Sequence, residues 1–246
     1  MSIHFAENHF FCTDLSVAEP ELDAEESRHA LRVLRLTIGD TIMVTDGNGH
    51  LLKCAISKEN KNNVLLAKLD EYSGEQRLPP VFTLAVSVTK KPAFETMVEL
   101  CGQLPVKTII PFISEHSCKQ SDYLSKPVKR LEEKLKTALK QSKKKWLTTL
   151  ERQTDYTNIL RMSGEFRATA LFEKIETNQD DFDVASIKKA ENILVIVGPE
   201  GGFSEREIAI AKEKQIPVYS LGENRLRAET AAFASIVQLS ALRIVT

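Results

Sequence analysis

The carboxyl-terminal stretch constrains the fold more than any other part of the 246-residue chain. An apolar run from Asn192 to Val197 predicts a buried strand, which ends at Gly198-Pro-Glu-Gly-Gly202. A second short strand, Val218 to Leu221, precedes Gly222 and an Ala-rich helix that begins near Ala228. Because both strands end at glycine, we expect two bends where main chain approaches a ligand closely.

Upstream of this stretch, predicted strands alternate with predicted helices from residue 81. The strands are 81–89, 107–113, 146–150 and 167–172, and the helices are 94–104, 126–142 and 154–163. The long helix carries one apolar stripe, Leu131, Leu135 and Leu139. Ser204 and Glu207 form a capping-box pattern that predicts another helix start. This alternation predicts an α/β domain with a mainly parallel sheet.

The first part of the chain has a different pattern, rich in short β runs. Strands are predicted at 41–45, 51–57 and 63–69, and Asp46-Gly-Asn-Gly49 predicts a hairpin turn. A short helix, about 24–34, has Asp23 as its expected cap. The polar segment that ends in Pro79 and Pro80 predicts a linker. We therefore expect a domain at 1–72, a linker at 73–80 and a second domain at 81–246.

Two basic clusters are candidates for contact with a polyanion. Helical spacing places Arg28, Arg32 and Arg35 on one face, which is either a solvated surface or a phosphate-binding patch. The run Lys143, Lys144 and Lys145 is either a solvated helix end or a second phosphate contact, and we favour the contact. From residue 126 to 145 there are nine Lys or Arg and two Glu, a local net charge of +7.

The overall composition excludes several other classes of protein. The net charge of −1 does not support nucleic-acid binding through overall charge, so a local basic face has to supply it. The four Cys are widely spaced and the His are not clustered, which predicts free thiols and no metal site. There is no apolar run of membrane-spanning length and no signal-peptide pattern. We expect a cytoplasmic protein without a membrane segment.

The glycine-rich bend does not fit a nucleotide-triphosphate loop. Phe203 stands where such a loop requires Lys, and Glu200 places a negative charge where a phosphate would bind. A neutral or partly cationic ligand fits better. Arg225 and Arg227 follow the second bend; if exposed, they could hold a phosphate or polarise a base carbonyl. If buried, one of them would pair with Glu200 or Glu229.

These motifs carry a family resemblance. Gly198-Pro-Glu-Gly-Gly202, Leu221-Gly222 and Leu226-Arg-Ala-Glu-Thr-Ala231 resemble the signature of the RsmE family, the 16S ribosomal RNA uridine-N3 methyltransferases of the SPOUT superfamily. Arg28-His-Ala-Leu-Arg-Val-Leu-Arg35 resembles that family's N-terminal domain. The resemblance implies a small PUA-like RNA-binding β-barrel, followed by an α/β SPOUT-type domain with a C-terminal trefoil knot.

The resemblance also implies ligands and partners. S-adenosylmethionine would bind within the knot, the target would be a uridine of 16S ribosomal RNA in the small subunit, and the protein would be a homodimer. Arg227, with Arg225, would stabilise the charge that develops on the uridine. The implied donor-binding residues are Val197, Gly198, Pro199, Glu200, Gly201, Gly202, Leu221, Gly222, Leu226 and Thr230.

Some charged positions depart from the family pattern. Leu100 and Gln103 stand where the family usually has Lys and Glu, and His116 stands where it usually has Arg. These departures keep two alternatives open. One is an RNA-binding protein that retains the pocket without catalysis, and the other is a SPOUT methyltransferase that acts on a different RNA. His116 itself is interpreted as a surface or linker-facing residue in preference to a general base.

Overall fold

The computed structural model describes residues 8–60, 63–72, 81–118, 124, 128–174 and 183–244, without the side chains of residues 243 and 244. The chain divides into two compact units. Unit 1 contains Met1–Arg77 and Lys136–Leu147, and unit 2 contains Leu78–Leu135 and Thr148–Thr246. Residues 136–147, which the sequence interpretation assigned to the second domain, thus group with the first unit. The predicted linker at 73–80 lies outside the described residues.

Unit 1 is built on a five-stranded sheet with the order β1-β3-β4-β5-β2. The strands are β1 (His9–Phe11), β2 (Glu21–Leu22), β3 (Thr41–Thr45), β4 (Leu51–Glu59) and β5 (Val64–Glu71). β1 and β3 are parallel, and the other neighbours are antiparallel. Apolar side chains of the sheet form one core with Leu22 and Ala30. β1 and β2 were not predicted from the sequence, because strands of two or three residues are too short to show an alternating pattern.

The short helix of unit 1 begins as predicted. In α1 (Ala24–Arg28), the Asp23 carboxylate accepts hydrogen bonds from the main-chain nitrogens of the next turn, which confirms the cap. From His29 to Val33 the chain continues as a π-helical turn, and Arg35 then adopts a left-handed conformation with φ 57°. Arg28 and Arg32 lie on these helical turns, whereas Arg35 lies beyond their end, so the predicted helix face does not extend to Arg35.

The segment from Lys136 to Leu147 completes unit 1 by packing on the predicted hairpin turn. The Gly49 nitrogen donates to the Lys145 carbonyl over 3.0 Å, and the Leu147 nitrogen donates to the Gly47 carbonyl over 2.8 Å. The Trp146 ring lies against Gly49, where a Cβ atom would come within 2.4 Å of the ring. Both glycines have positive φ, so this contact depends on residues without a side chain.

A second contact within unit 1 is an ion pair between the buried Glu26 and the half-buried Lys140. The same carboxylate accepts a hydrogen bond from the Phe11 nitrogen at 3.3 Å. The Lys136 ammonium lies 5.3 Å from the centre of the Phe11 ring. Both lysines belong to the segment that the sequence analysis described only as a solvated or RNA-facing basic stretch. Part of its charge is therefore used inside the unit.

Unit 2 contains a parallel sheet in which seven of the described strands take part. The strands are β6 (Val81–Ser87), β7 (Val106–Ile113), β8 (Thr149–Leu150), β9 (Thr154–Asp155), β10 (Ala168–Phe172), β11 (Asn192–Val197) and β12 (Val218–Tyr219). Their order is β12-β10-β11-β6-β7-β8, and β9 also pairs with β7. Every pairing is parallel, as the alternating pattern predicts. The carboxyl ends of the strands therefore share one edge of the sheet.

Helices connect these strands. They are α2 (Lys91–Gly102), α3 (Lys129–Gln141), α4 (Tyr156–Met162), α5 (Val184–Lys189), α6 (Glu205–Glu213) and α7 (Ala228–Ile244). The predicted stripe of α3 is confirmed, since Leu131, Leu135 and Leu139 are all buried. The predicted strand at 146–150 is reduced to β8, because Trp146 pairs with Asn48 of unit 1 instead. The sequence analysis did not predict α5.

The thiols agree with the sequence-based expectation. All four cysteines are free, and Cys12, Cys54 and Cys101 are buried while Cys118 is half-buried. Burial raises the pKa of the Cys54 thiol to about 11 and that of Cys101 to about 12. These thiols are therefore protonated and unreactive near neutral pH.

Alanine substitutions at two glycines test the packing of Trp146. Gly39 and Gly49 have nearly the same φ, +96° and +99°, but only the Cβ of an alanine at 49 would overlap the ring. We expect Gly39→Ala to lower the free energy of unfolding of unit 1 by about 1 kcal/mol and Gly49→Ala by about 2–4 kcal/mol. Trp146 is the single tryptophan, so its fluorescence during urea unfolding reports on this unit. Equal losses in the two variants would contradict the packing.

Candidate functional site

A pocket lies at the sheet edge formed by the carboxyl ends of β10, β11 and β12. Its walls come from both predicted bends, from the end of β10 and from the start of α7. The lining residues are Phe172, Glu173, Lys174, Val197, Gly198, Pro199, Glu200, Gly202, Ser220, Leu221, Asn224, Arg225, Leu226, Ala228 and Ala231. Parallel α/β sheets generally bind ligands beyond the carboxyl ends of their strands, so a ligand site is expected at this edge.

The first bend runs from Gly198 to Gly202 and packs too closely for side chains at two positions. A Cβ atom at Gly198 would lie 2.9 Å from the Phe203 ring. Gly202 has φ +76°, and a Cβ there would lie 3.0 Å from a carboxylate oxygen of Glu173. Glycine at these positions therefore allows the main chain to reach both neighbours.

Glu173 is a site residue that the sequence analysis missed. One of its carboxylate oxygens accepts from the Phe203 nitrogen at 2.8 Å, and the other accepts from the nitrogen of Lys174 at 2.9 Å. The carboxylate thus joins the end of β10 to the first bend and adds negative charge to the pocket wall. The predicted parallel sheet could have identified Glu173, because in such a sheet the residues that follow Phe172 lie at the same edge as Gly198.

The second bend lies beside the first. Arg225 Nη2 donates to the Glu200 carbonyl oxygen at 3.3 Å, which connects the two bends directly. Gly222 has φ +125°, and its carbonyl accepts from Ser220 Oγ at 2.9 Å and from Lys174 Nζ at 3.4 Å. The two glycine-bearing strand ends of the sequence analysis are therefore brought together in one pocket.

The two candidate catalytic arginines are both exposed. Arg225 lines the pocket and binds the main-chain oxygen of Glu200, rather than the carboxylate that the buried alternative would require. Arg227 lies between two lining residues, Leu226 and Ala228, directly before α7. Both arginines are therefore available to bind a phosphate or polarise a base carbonyl, which is the alternative expected from the sequence for exposed side chains.

Not every predicted donor-binding residue lines the pocket. Within the described part of the chain, Gly201, Gly222 and Thr230 lie on the two bends or in the first turn of α7, outside the lining set. Gly201 instead faces a neighbouring turn, where its Cβ would lie 3.1 Å from the Cβ of His116. These residues shape the pocket through the main chain that they belong to.

A cluster of three aromatic rings packs against the first bend. The Phe203 ring is parallel to that of Phe112, with centroids 6.3 Å apart, and lies 5.3 Å from the ring of Tyr156. The Tyr156 hydroxyl donates to the Glu207 carbonyl at 3.1 Å, and burial raises the pKa of this phenol. Because the three rings are buried and interlocked, they hold the bend in one position.

The predicted capping box is confirmed and has a further use. The Ser204 hydroxyl accepts from the Glu207 nitrogen at 3.1 Å, and the Glu207 carboxylate accepts from the Ser204 nitrogen at 2.9 Å. The same carboxylate also accepts from the nitrogen of Glu115 at 3.0 Å. The start of α6 is thereby joined to the turn that follows β7.

That turn, residues 114–117, is fixed by a cluster of hydroxyl groups. Ser87 Oγ at the end of β6 lies 3.0 Å from Ser114 Oγ and 2.7 Å from Ser117 Oγ. Within the turn, His116 Nδ1 lies 3.0 Å from the carbonyl oxygen of Gly202. The imidazole is exposed to solvent but bound to the pocket loop, so its position is more specific than the surface role that the sequence analysis favoured.

Two of the residues that depart from the family pattern lie at the end of α2: Leu100 belongs to its last turn, and Gln103 directly follows it. Other residues of α2 form the ion pairs with α3. Glu95 binds Arg130 at 3.0 Å, and Glu99 binds Lys134 at 2.7 Å. The Gln103 amide donates to the Glu99 carbonyl at 3.2 Å, while the half-buried Leu100 adds no charge. In unit 2, therefore, ion pairs connect the two helices without the charged residues that the family pattern usually has there.

The predicted RNA-binding residues lie in unit 1. Arg28, Arg32 and Arg35 are all exposed, on and beyond the π-helical turn. Lys145 differs, because its ammonium group donates to the Tyr72 carbonyl at 3.0 Å and so contributes to the structure of the unit. Lys143 and Lys144 are half-buried. The exposed arginines are thus better placed to bind a polyanion than this lysine run.

Two further findings concern metals and membranes. Among the residues described, no group of three or more His, Cys, Asp or Glu side chains is arranged to hold a metal ion. In the same part of the chain, no helix combines the length and the apolar character that crossing a bilayer requires.

Comparison with known proteins supports the resemblance over both units. The sequence profile of the RNA methyltransferase domain matches residues 76–240, and that of the RNA methyltransferase PUA domain matches residues 22–69. A Rickettsia conorii protein named ribosomal RNA small subunit methyltransferase E is 29% identical over 224 residues, which are 90% of this chain and 89% of that one. Its namesake from Synechocystis is 27% identical and covers 90% of this chain, with 72% of its own length matched.

Solved structures show the same fold. The Neisseria gonorrhoeae ribosomal RNA small subunit methyltransferase E, bound to S-adenosyl methionine, has a TM-score of 0.82 at 24% identity and covers 96% of this chain and 98% of its own. A putative methyltransferase from Legionella pneumophila, in complex with the same cofactor, has a TM-score of 0.83 at 21% identity, with coverages of 96% and 97%. The chain therefore combines a PUA-like domain with an α/β methyltransferase fold, and it belongs to the RsmE family of RNA methyltransferases.

Proposed function

We propose that this protein transfers a methyl group from S-adenosylmethionine to N3 of a uridine in 16S ribosomal RNA of the small ribosomal subunit. The proposal depends most on one observation: both main-chain bends line the same pocket, and Arg225 of the second bend donates a hydrogen bond to the Glu200 carbonyl of the first. Relatives named ribosomal RNA small subunit methyltransferase E match this chain over about nine-tenths of its length, which supports the same substrate.

The pocket fits S-adenosylmethionine in shape and charge. Its apolar lining residues Val197, Leu221 and Leu226 suit an adenine ring and a methionine chain. Gly198 and Gly202 line the pocket with main chain, because neither residue has a side chain that could occupy it. The carboxylates of Glu173 and Glu200 supply negative charge for a sulfonium and an ammonium group. When bound, this donor supplies an already activated methyl group.

The residues of the chain would then supply binding, orientation and charge stabilisation. N3 of uridine carries a proton that it must lose before or during its attack on the methyl group, and loss of this proton generates negative charge on the uracil ring. Arg227, aided by Arg225, would stabilise that charge, since Arg225 lines the pocket, Arg227 directly precedes a lining residue and both side chains are exposed. Holding the base close to the methyl group would supply much of the remaining acceleration.

Several finer features belong to the same proposal. The chain around the two bends would form a trefoil knot, and α7 would be part of a homodimer interface, both implied by the family resemblance. Val237 on α7 is 41% exposed, which is consistent with an interface there. The protein would act in the cytoplasm, where small ribosomal subunits are found. Unit 1 would bind ribosomal RNA through the phosphate contacts of Arg28, Arg32 and Arg35.

The direct test uses small subunits from a strain that lacks this methylation, incubated with the protein and with donor labelled on the methyl group. We expect label in 16S ribosomal RNA, and mass spectrometry of nuclease digests should identify it as N3-methyluridine. Transfer RNA from the same strain serves as the control substrate. Donor binding without transfer to any RNA would support the non-catalytic alternative, and label on transfer RNA would support a different target.

A substitution at Arg227 tests the proposed charge stabilisation. Arg227→Ala should lower the rate constant of methyl transfer by about 10²–10³-fold, because one charged donor to the developing anion is lost. Donor affinity, measured by calorimetry, should change little. Arg161→Ala on α4 is the matched control, since Arg161 is also exposed but lies outside the pocket lining. An unfolded Arg227→Ala protein would assign this residue to structure instead of catalysis.

The donor pocket is tested at Gly222. A β-branched residue is strained at φ +125°, so Gly222→Val should displace the carbonyl that Ser220 and Lys174 bind. We expect the dissociation constant for S-adenosylmethionine to rise at least about tenfold, which corresponds to about 1.4 kcal/mol. Gly164→Val is the control, because Gly164 is exposed, has no positive φ and has open space around its Cβ position. Undiminished binding in calorimetry would place the pocket elsewhere.

A further inference from the structure

The turn that carries His116 is held more firmly than a surface turn requires. Its serines bind Ser87 at the end of β6, and its Glu115 nitrogen binds the Glu207 carboxylate at the start of α6. The imidazole binds the carbonyl of Gly202, a residue that lines the pocket. Three separate attachments therefore place one titratable ring against the pocket loop, although neither donor binding nor the charge stabilisation by arginine requires this ring.

The contact with Gly202 determines which ring nitrogen carries the proton in the neutral imidazole. A carbonyl oxygen can only accept a hydrogen bond, so Nδ1 of His116 must be the donor over the 3.0 Å that separate the two atoms. The lone pair is then on Nε2. The residue as a whole is exposed to solvent. A histidine fixed in this way is suited to accept a proton.

The other acidic and basic groups around the turn are already engaged. The Glu115 carboxylate lies 3.8 Å from Arg206, and the Glu207 carboxylate accepts from two main-chain nitrogens. Both oxygens of Glu173 likewise accept from main-chain nitrogens. The carboxylate of Glu200 is exposed and lines the pocket, so it is the competing candidate for accepting the proton.

We propose that His116 is the general base that accepts the proton from N3 of the target uridine. This inference rests on the proposed function. The N3–H bond breaks and its proton moves to Nε2, which converts the imidazole to imidazolium. The electron pair left on N3 forms the bond to the methyl carbon, the carbon–sulfur bond of the donor breaks, and its electron pair remains on the now neutral sulfur. The Gly202 carbonyl continues to accept from Nδ1 and stabilises the imidazolium.

A conservative substitution separates the two roles of the ring. In His116→Asn the side-chain amide can replace Nδ1 as donor to the Gly202 carbonyl, while nothing replaces Nε2. We expect transfer to 16S ribosomal RNA to fall by about 10²-fold or more with unchanged affinity for the donor in calorimetry. Added imidazole should partly restore transfer by His116→Ala. His50→Asn, at another exposed histidine in unit 1, should transfer normally.

The pH profile provides a readout that a purely structural role would not change. The rate of the natural protein should rise with pH as the base loses its proton, because only the neutral ring accepts. In His116→Asn this rise should disappear and the remaining activity should grow only at more alkaline pH, where N3 ionises unaided. A rise in the acidic range typical of carboxylates would assign the role to Glu200 and overturn the proposal.

Nuclear magnetic resonance tests the structural premise without any activity. Nitrogen-15 shifts of the histidine rings in the donor-free protein should show His116 as the Nδ1–H tautomer, identified by the signals missing from His116→Asn. The Nε2–H tautomer, or a normal transfer rate and pH profile in His116→Asn, would overturn the inference. If the natural protein itself transfers no methyl group to any RNA, the proposed function fails as well, so the two failures are distinguishable.

Discussion

The site depends on hydrogen bonds that hold the main chain of one bend, from Gly198 to Phe203. The Glu173 carboxylate accepts from the Phe203 nitrogen, Arg225 donates to the Glu200 carbonyl, and His116 donates to the carbonyl of Gly202. A bend of this kind leaves polar main-chain groups outside any helix or sheet, and they need partners. Here the partners follow the ends of three other strands, and only a parallel sheet places those ends at one edge.

Tight packing of aromatic side chains against the bend helps these hydrogen bonds to fix its position. The rings of Phe112 and Phe203 are stacked, the Tyr156 ring lies tilted against them, and all three are buried. Gly198 packs directly on the Phe203 ring. The bend therefore cannot shift to suit a ligand without disturbing the core of unit 2. For a reaction in which the methyl donor is already activated, such preorganisation is the main contribution that a protein can make.

Unit 1 shows that charge in a sequence does not by itself identify a binding surface. The segment 126–145 has a local net charge of +7, yet within unit 1 Lys140 pairs with the buried Glu26 and Lys145 binds the Tyr72 carbonyl. Its neighbour Trp146 occupies the space above Gly49. A segment whose sequence predicts a basic surface thus contributes in part to the structure of the unit. The exposed arginines near the π-helical turn are the better candidates for phosphate contact.

The sequence by itself determined the elements with strong local signals. These elements are the strand Asn192–Val197, the capping box of Ser204 and Glu207, the hairpin turn with its glycines and the two bends. They could be predicted because apolar runs, helix caps and glycines determine the local conformation through residues that are close in sequence. The family motifs extended this to the fold class and the activity. Only the tertiary structure decided that Glu173 and His116 bind the same bend, and that residues 136–147 complete unit 1. These contacts join residues dozens of positions apart, so they follow from the order of strands in the sheet and leave no local pattern in the sequence.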